Sequence, residues 1–122
     1  MRITISINFL LCYVFMSAWA LPPKGCTSCM LAPIESHHRN PGNYKVEKLL
    51  SDDNCFIQRL TCNGIEEKSE TFVQFNFGQS GFFAQGDQTV DLECNAHGEW
   101  IVNRQGAVLV VESLACLSTW FR

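Results

Sequence analysis

Two short motifs in this chain carry residue types that could do chemistry. Cys26-Thr27-Ser28-Cys29 is a C-x-x-C and Cys94-Asn95-Ala96-His97 is a C-x-x-H, so together they could offer four zinc ligands. Three features weigh against it. The motifs stand more than sixty residues apart, Cys55, Cys62 and Cys116 would be left as an odd set, and a secretion signal precedes them, which favours oxidation over thiolate ligation. A redox C-x-x-C needs a helix N-terminus inside a βαβ unit, whereas this one lies among Pro22, Pro23, Gly25 and Pro33. No metal or cofactor is expected.

Catalytic signals are equally sparse. Gly78-Gln79-Ser80-Gly81 is one residue short of the G-x-S-x-G elbow, and neither histidine region has an identifiable nucleophile. His97 beside Glu99 could form an acid/base pair, but in a four-residue turn it reads more simply as a solvated loop histidine, and His37 and His38 carry the same interpretation. Trp100, in a strand just past a cysteine, reads as core packing against a disulfide. The chain is not expected to be an enzyme.

The N-terminus decides which residues count. Arg2 supplies a positive start, residues 3–16 form an apolar run broken only by Thr4, Ser6 and Asn8, and Ala18-Trp19-Ala20 fits the small-x-small rule for signal peptidase. Residues 1–20 are therefore read as a cleaved signal peptide and residues 21–122 as one extracellular domain. The run is shorter than the roughly 20 residues of a membrane span. Cleavage removes Cys12 and Arg2, turning seven cysteines into six and a net charge of −3 into −4. An acidic chain without a basic run is a poor nucleic-acid partner. The later apolar run, residues 107–121, contains Glu112 and lacks the polar spacer of a lipid-anchor signal, so no membrane span or anchor is expected. No Asn-x-Ser/Thr triplet occurs, so N-glycosylation is not expected either.

The elements that would position these residues are strands. Residues 21–44, rich in proline and glycine, read as loop or edge material. Residues 46–50 could form a helical turn or a strand, and Ser51-Asp52-Asp53-Asn54 is a turn signal. Five candidate strands follow. In 56–62, Phe56, Gln58, Leu60 and Cys62 share a face; in 71–77, Val73, Phe75 and Phe77 point inward. Segment 89–94 alternates most cleanly and forms a hairpin with 99–102. The fifth strand, 107–111 with an extension toward Cys116, is continuously apolar, which predicts burial on both faces or a central position. Residues 78–83 read as a loop between strands ending in Phe82 and Phe83, which if exposed would be a contact surface; the competing and favoured account places both in a strand packing on the core. The expected fold is all-β: a small disulfide-stabilised antiparallel β-sandwich.

Six cysteines, Cys26, Cys29, Cys55, Cys62, Cys94 and Cys116, admit 15 disulfide connectivities, and sequence alone does not choose among them. A bridge from Cys26 to Cys55 would close about 30 residues, worth roughly 3 to 4 kcal/mol in chain entropy. The order and neighbours of these cysteines resemble the six-cysteine ("C-six") domain of unknown function found in nematode secreted proteins. The resemblance is carried by the early Cys26-Thr27-Ser28-Cys29, by Cys55 with Leu60-Thr61-Cys62, by Leu92-Glu93-Cys94-Asn95 with Gly98 and Trp100, and by Cys116. It spans the mature chain, departing at Met30 and in the aromatic stretch 72–83. It implies an extracellular domain with three disulfides, no established catalysis, and a bond between the first and third cysteines, here Cys26 and Cys55. Among the remaining four, Cys62 with Cys94 is preferred, each closing a candidate core strand.

These readings predict a secreted, monomeric extracellular module with a binding or structural role, whose partner is an extracellular protein or glycan. Its candidate binding surface is Phe82, Phe83 and His97, on the loops near 78–86 and 95–98. A toxin-like or antimicrobial effector is the alternative, disfavoured by the acidic balance, and a hydrolase relying on His97 comes third.

Overall fold

A computed structural model describes residues 25–104 and 106–120; the segment read as a signal peptide, with the expected cleavage site and Cys12, lies outside the described residues. After a short 3-10 turn, Gly25–Thr27, come β1 (Asn43–Leu50), β2 (Phe56–Asn63), β3 (Thr71–Phe75), β4 (Ser80–Ala84), β5 (Gln88–Cys94), β6 (Trp100–Arg104), β7 (Ala107–Val110) and β8 (Leu114–Ser118). They form two antiparallel sheets, one ordered β1-β2-β5-β6-β7 and the other β4-β3-β8. Their inner faces enclose one core: Leu60, Val90, Leu92, Trp100 and Val102 from the first meet Val73, Phe75 and Leu114 from the second. The all-β, sandwich-like expectation therefore holds. None of the described residues forms a helix long and apolar enough to cross a membrane.

Where alternation is strict, the strands follow the sequence. β2 buries Gln58, Leu60 and Cys62 and leaves the intervening residues half-buried, and β5 buries Val90, Leu92 and Cys94 while exposing Asp91 and Glu93. The ambiguous segment 46–50 belongs to β1, which pairs with β2 from Asn43↔Asn63 to Leu50↔Phe56. The turn signal between them operates as expected: Ser51 binds Cys55 through backbone and hydroxyl, and Asn54 takes φ 61°, a left-handed conformation that asparagine tolerates. Lys45 and Lys48 on β1 put charge along an open sheet edge, which discourages pairing with another chain.

Three expectations about strands are corrected. First, β3 stops at Phe75, and Phe77 is 71% exposed rather than inward-facing. Asn76 ends the strand because its groups bind elsewhere. Its amide N–H donates to the Ser113 carbonyl, its Nδ2 donates to the Val110 carbonyl, and its Oδ1 accepts from the Glu112 amide, with φ positive at Asn76, Phe77 and Gly78. Second, the segment taken as a loop contains β4, in register with β3 through Phe72↔Phe83 and Val73↔Phe82. Third, the apolar run after Gly106 is two strands in different sheets. β7 is an open edge with Val108 59% exposed, whereas β8 carries the burial, with Leu114, Ala115 and Cys116 all buried.

The segment ahead of β1 is a strap along the outer edge of β8. Glu35 donates its amide to the Leu114 carbonyl, Gly42 to the Cys116 carbonyl, and Ser118 donates to the Asn40 carbonyl. The strap runs parallel to β8 at Ile34 and antiparallel at Pro41, so the chain arches over residues 35–40 in between. Upstream, Gln58 holds it like a missing strand neighbour: Oε1 accepts from the Ala32 amide at 2.8 Å and Nε2 donates to the Ala32 carbonyl at 3.1 Å. Trp100 Nε1 donates to the Met30 carbonyl at 2.6 Å.

All six cysteines of the described residues are oxidised, as Cys26–Cys55, Cys29–Cys94 and Cys62–Cys116. The first matches the resemblance; the preferred Cys62–Cys94 bond does not form. Sheet register forbids it. Cys62 stands opposite Gln88, six residues before Cys94 on the neighbouring strand, which is about 20 Å at the rise of an extended chain, far beyond the roughly 7 Å that a disulfide can span. Cys62 instead crosses the core to Cys116, and Cys94 ties down the strap through Cys29. Three disulfides are the signature of an oxidising compartment. With every one of these thiols consumed, Cys26, Cys29 and Cys94 cannot act as thiolate ligands to zinc.

Candidate functional site

Side chains on β4 alternate between faces, so adjacent Phe82 and Phe83 part company. Phe82 turns inward, meeting Phe75 edge to face at 5.3 Å between ring centroids, and the Arg104 guanidinium covers its ring at 4.4 Å. It forms the inner wall of a groove where the sheets part, with Ser80, Val102 and Leu109. Phe83 points out, 49% exposed, against Phe72 at 5.0 Å. Register places Leu117 on the other side of Phe72, so Phe83, Phe72 and Leu117 form one apolar row across all three strands of the smaller sheet.

One end of that row meets the arch. A hollow of about 310 Å³ lies between Phe72 and Leu117 on one side and His38, Arg39 and Asn40 on the other. Opposite Gln74 on β4 is Gly81, where a Cβ would fall 2.7 Å from the Val73 carbonyl oxygen. Only glycine lets the two strands approach there, and its missing side chain keeps the face shallow beside Phe83.

His97 is elsewhere. It occupies the β5–β6 turn, where Asn95 Oδ1 accepts from the His97 and Glu99 amides and Asn95 Nδ2 donates to the Glu99 carboxylate. That turn is held against the 3-10 turn, because a Cβ at Gly25 would strike the Ala96 carbonyl, and Cys29–Cys94 fixes it covalently. Phe83 and His97 thus sit on different sheets, and no contact joins them among the described residues. Trp100 is buried in the same cluster as Cys29 and Cys94, the packing expected of it.

His37 and His38, read from the sequence as solvated loop histidines, belong with Glu35 to a second set of residues, in which His38 is half-buried and bonded to Glu35. Glu35, His37 and His38 bring ligand-type atoms within 4.8 Å of one another on the arch. The Glu35 side chain is only 3% exposed, and both oxygens are engaged: Oε1 with His38 Nε2 at 2.8 Å, Oε2 with the Ser113 hydroxyl at 2.6 Å and the Phe77 amide at 3.0 Å. Burial pushes the Glu35 carboxyl up, but hydrogen bonds from Ser113, His38 and the Phe77 amide, with the attraction of His38, outweigh it and hold the pKa below its usual value. His37 stacks between His38 and Phe77, at 4.6 and 5.6 Å. A glutamate two places before paired histidines was the available signal. It was weak, because in an extended chain adjacent histidines point apart, and only the arch gathers them.

Compared with protein-family models, with curated proteins and with solved structures, the chain matches none of them.

Proposed function

We propose that this chain is a secreted extracellular binding module whose contact face is the outer surface of the smaller sheet. The observation carrying this reading is the apolar row of exposed Phe83 and half-buried Phe72 and Leu117, lying on a disulfide-stapled scaffold and ending beside the cationic Arg39. Apolar side chains left in water on an ordered sheet are characteristic of interaction surfaces. Phenylalanine and leucine carry no hydroxyl or ring N–H to hold sugar hydroxyls, so the partner class is an extracellular protein presenting apolar side chains and an acidic group toward Arg39. The cysteine order that resembles the six-cysteine domain accords with this role.

Two neighbouring substitutions separate contact from core. Phe83→Ser should cost about 1 kcal/mol or less, the scale of one aromatic pair, and should abolish capture of a partner from extracellular fluid by the immobilised protein. Phe82→Ser should cost about 2 to 3 kcal/mol, because it empties a half-buried site against Phe75. Thermal unfolding and pull-down on the same two variants check both. Equal capture by wild type and Phe83→Ser removes the contact-face assignment, and capture of glycans in place of proteins removes the partner class.

A further inference from the structure

Three properties of the arch point beyond a structural hydrogen bond. The first is the donor set. Two imidazoles and one carboxylate lie within 4.8 Å of one another, so a shift of roughly an ångström draws them to the spacing set by bonds of about 2.0 to 2.2 Å to a shared ion. The second is preorganisation. Ser113 and Phe77 fix Glu35 Oε2 from two other parts of the fold, leaving Oε1 turned toward His38, while exposed His37, now stacked on His38 and Phe77, turns its ring to bring a nitrogen to the ion. Carboxylates and imidazoles oriented by such outer partners are the hallmark of metal-ready ligands. The third is burial. The Glu35 side chain is 3% exposed, and among the described residues its ion-pair partner is the His38 imidazole rather than a permanently charged lysine or arginine.

We propose that Glu35, His37 and His38 bind one divalent transition ion of the zinc–copper class. Two nitrogens and one oxygen suit those ions better than calcium or magnesium, which favour all-oxygen shells. The ion takes the place of the proton between His38 Nε2 and Glu35 Oε1, and exposed His37 leaves a route of entry. Because Glu35 is bound to the β3–β4 turn and to Ser113 ahead of β8, the ion clamps the arch onto both. The site does not rest on the contact-face reading.

The test is calorimetric titration of the untagged, oxidised protein, stripped with chelator and desalted, with ZnCl2 and with CuCl2, followed by thermal unfolding with and without metal. One ion should bind per chain and raise the unfolding temperature. His37→Ala and His38→Ala should each weaken binding by about 10- to 100-fold or more, while His97→Ala leaves it unchanged. Copper-loaded protein should show nitrogen hyperfine coupling from two imidazoles. Glu35→Gln should weaken binding as well; should that variant not fold, the exposed His37→Ala still decides. Absence of saturable one-to-one binding, or equal affinity in wild type and His37→Ala, overturns the assignment.

Discussion

Replacing both Cys62 and Cys116 with alanine is expected to lower unfolding free energy by about 2 to 5 kcal/mol. This bridge is the only one of the three disulfides that joins the two sheets, tying β2 to β8 with both cysteines buried, across a sequence separation of 54. On chain-entropy grounds a loop of that size is worth about 4 kcal/mol, and loss of the sulfurs leaves a void between Val73 and the core of the larger sheet. The paired Cys26→Ala and Cys55→Ala replacement should cost less, since those residues are half-exposed, separated by only 29, and anchor the 3-10 turn rather than the core. Denaturant midpoints of the two double variants give the order directly. If losing Cys26–Cys55 proves the more damaging, the core-spanning bridge is not the main staple.

Gln58→Met should destabilise the chain by about 2 to 5 kcal/mol although it conserves volume and adds apolar surface. Gln58 is 0% exposed, between Phe56 and Leu60 on the core face of β2, and its amide satisfies both backbone groups of buried Ala32. Methionine would leave that N–H and C=O unpaired away from water, at about 1 to 3 kcal/mol each. The damage should be local as well as global: amide exchange at Ala32 and along the strap should accelerate before the β2–β5 ladder opens. A stability unchanged within about 0.5 kcal/mol would mean that Cys29–Cys94, Trp100 and the backbone bonds to β8 hold the strap without Gln58.

These residues also show what could be read from sequence. Gln58 was placed on the core face by alternation with Phe56, Leu60 and Cys62, and the 89–102 hairpin by the rhythm of Val90, Leu92 and Cys94; in both, local period and tertiary burial agree. Period failed where long-range bonds interrupt it. Phe77 continues the pattern of Val73 and Phe75, yet Asn76 spends its hydrogen bonds on residues 110–113, a choice invisible in residues 71–77 themselves. The same contacts end β7 and start β8, so a run without glycine or proline divides between two sheets. Gly78, Ser80 and Gly81 suggested a loop, but Gly81 is there because β3 passes too close for a side chain. Cysteine pairing was illegible for a similar reason, being set by the register between β2 and β5. The arch cluster required the chain reversal between Ile34 and Pro41, which residues 34–41 reveal only when laid against β8.

A specific disulfide framework locks two sheets and a strap into one scaffold. Non-reducing proteolysis of the purified protein followed by mass spectrometry reads out that framework. Peptides linked as Cys26–Cys55, Cys29–Cys94 and Cys62–Cys116, with no free thiol among these six, are the predicted result. A peptide joining Cys62 to Cys94, or free thiols at Cys62 and Cys116, would contradict the β2–β5 register and with it the arrangement of both sheets.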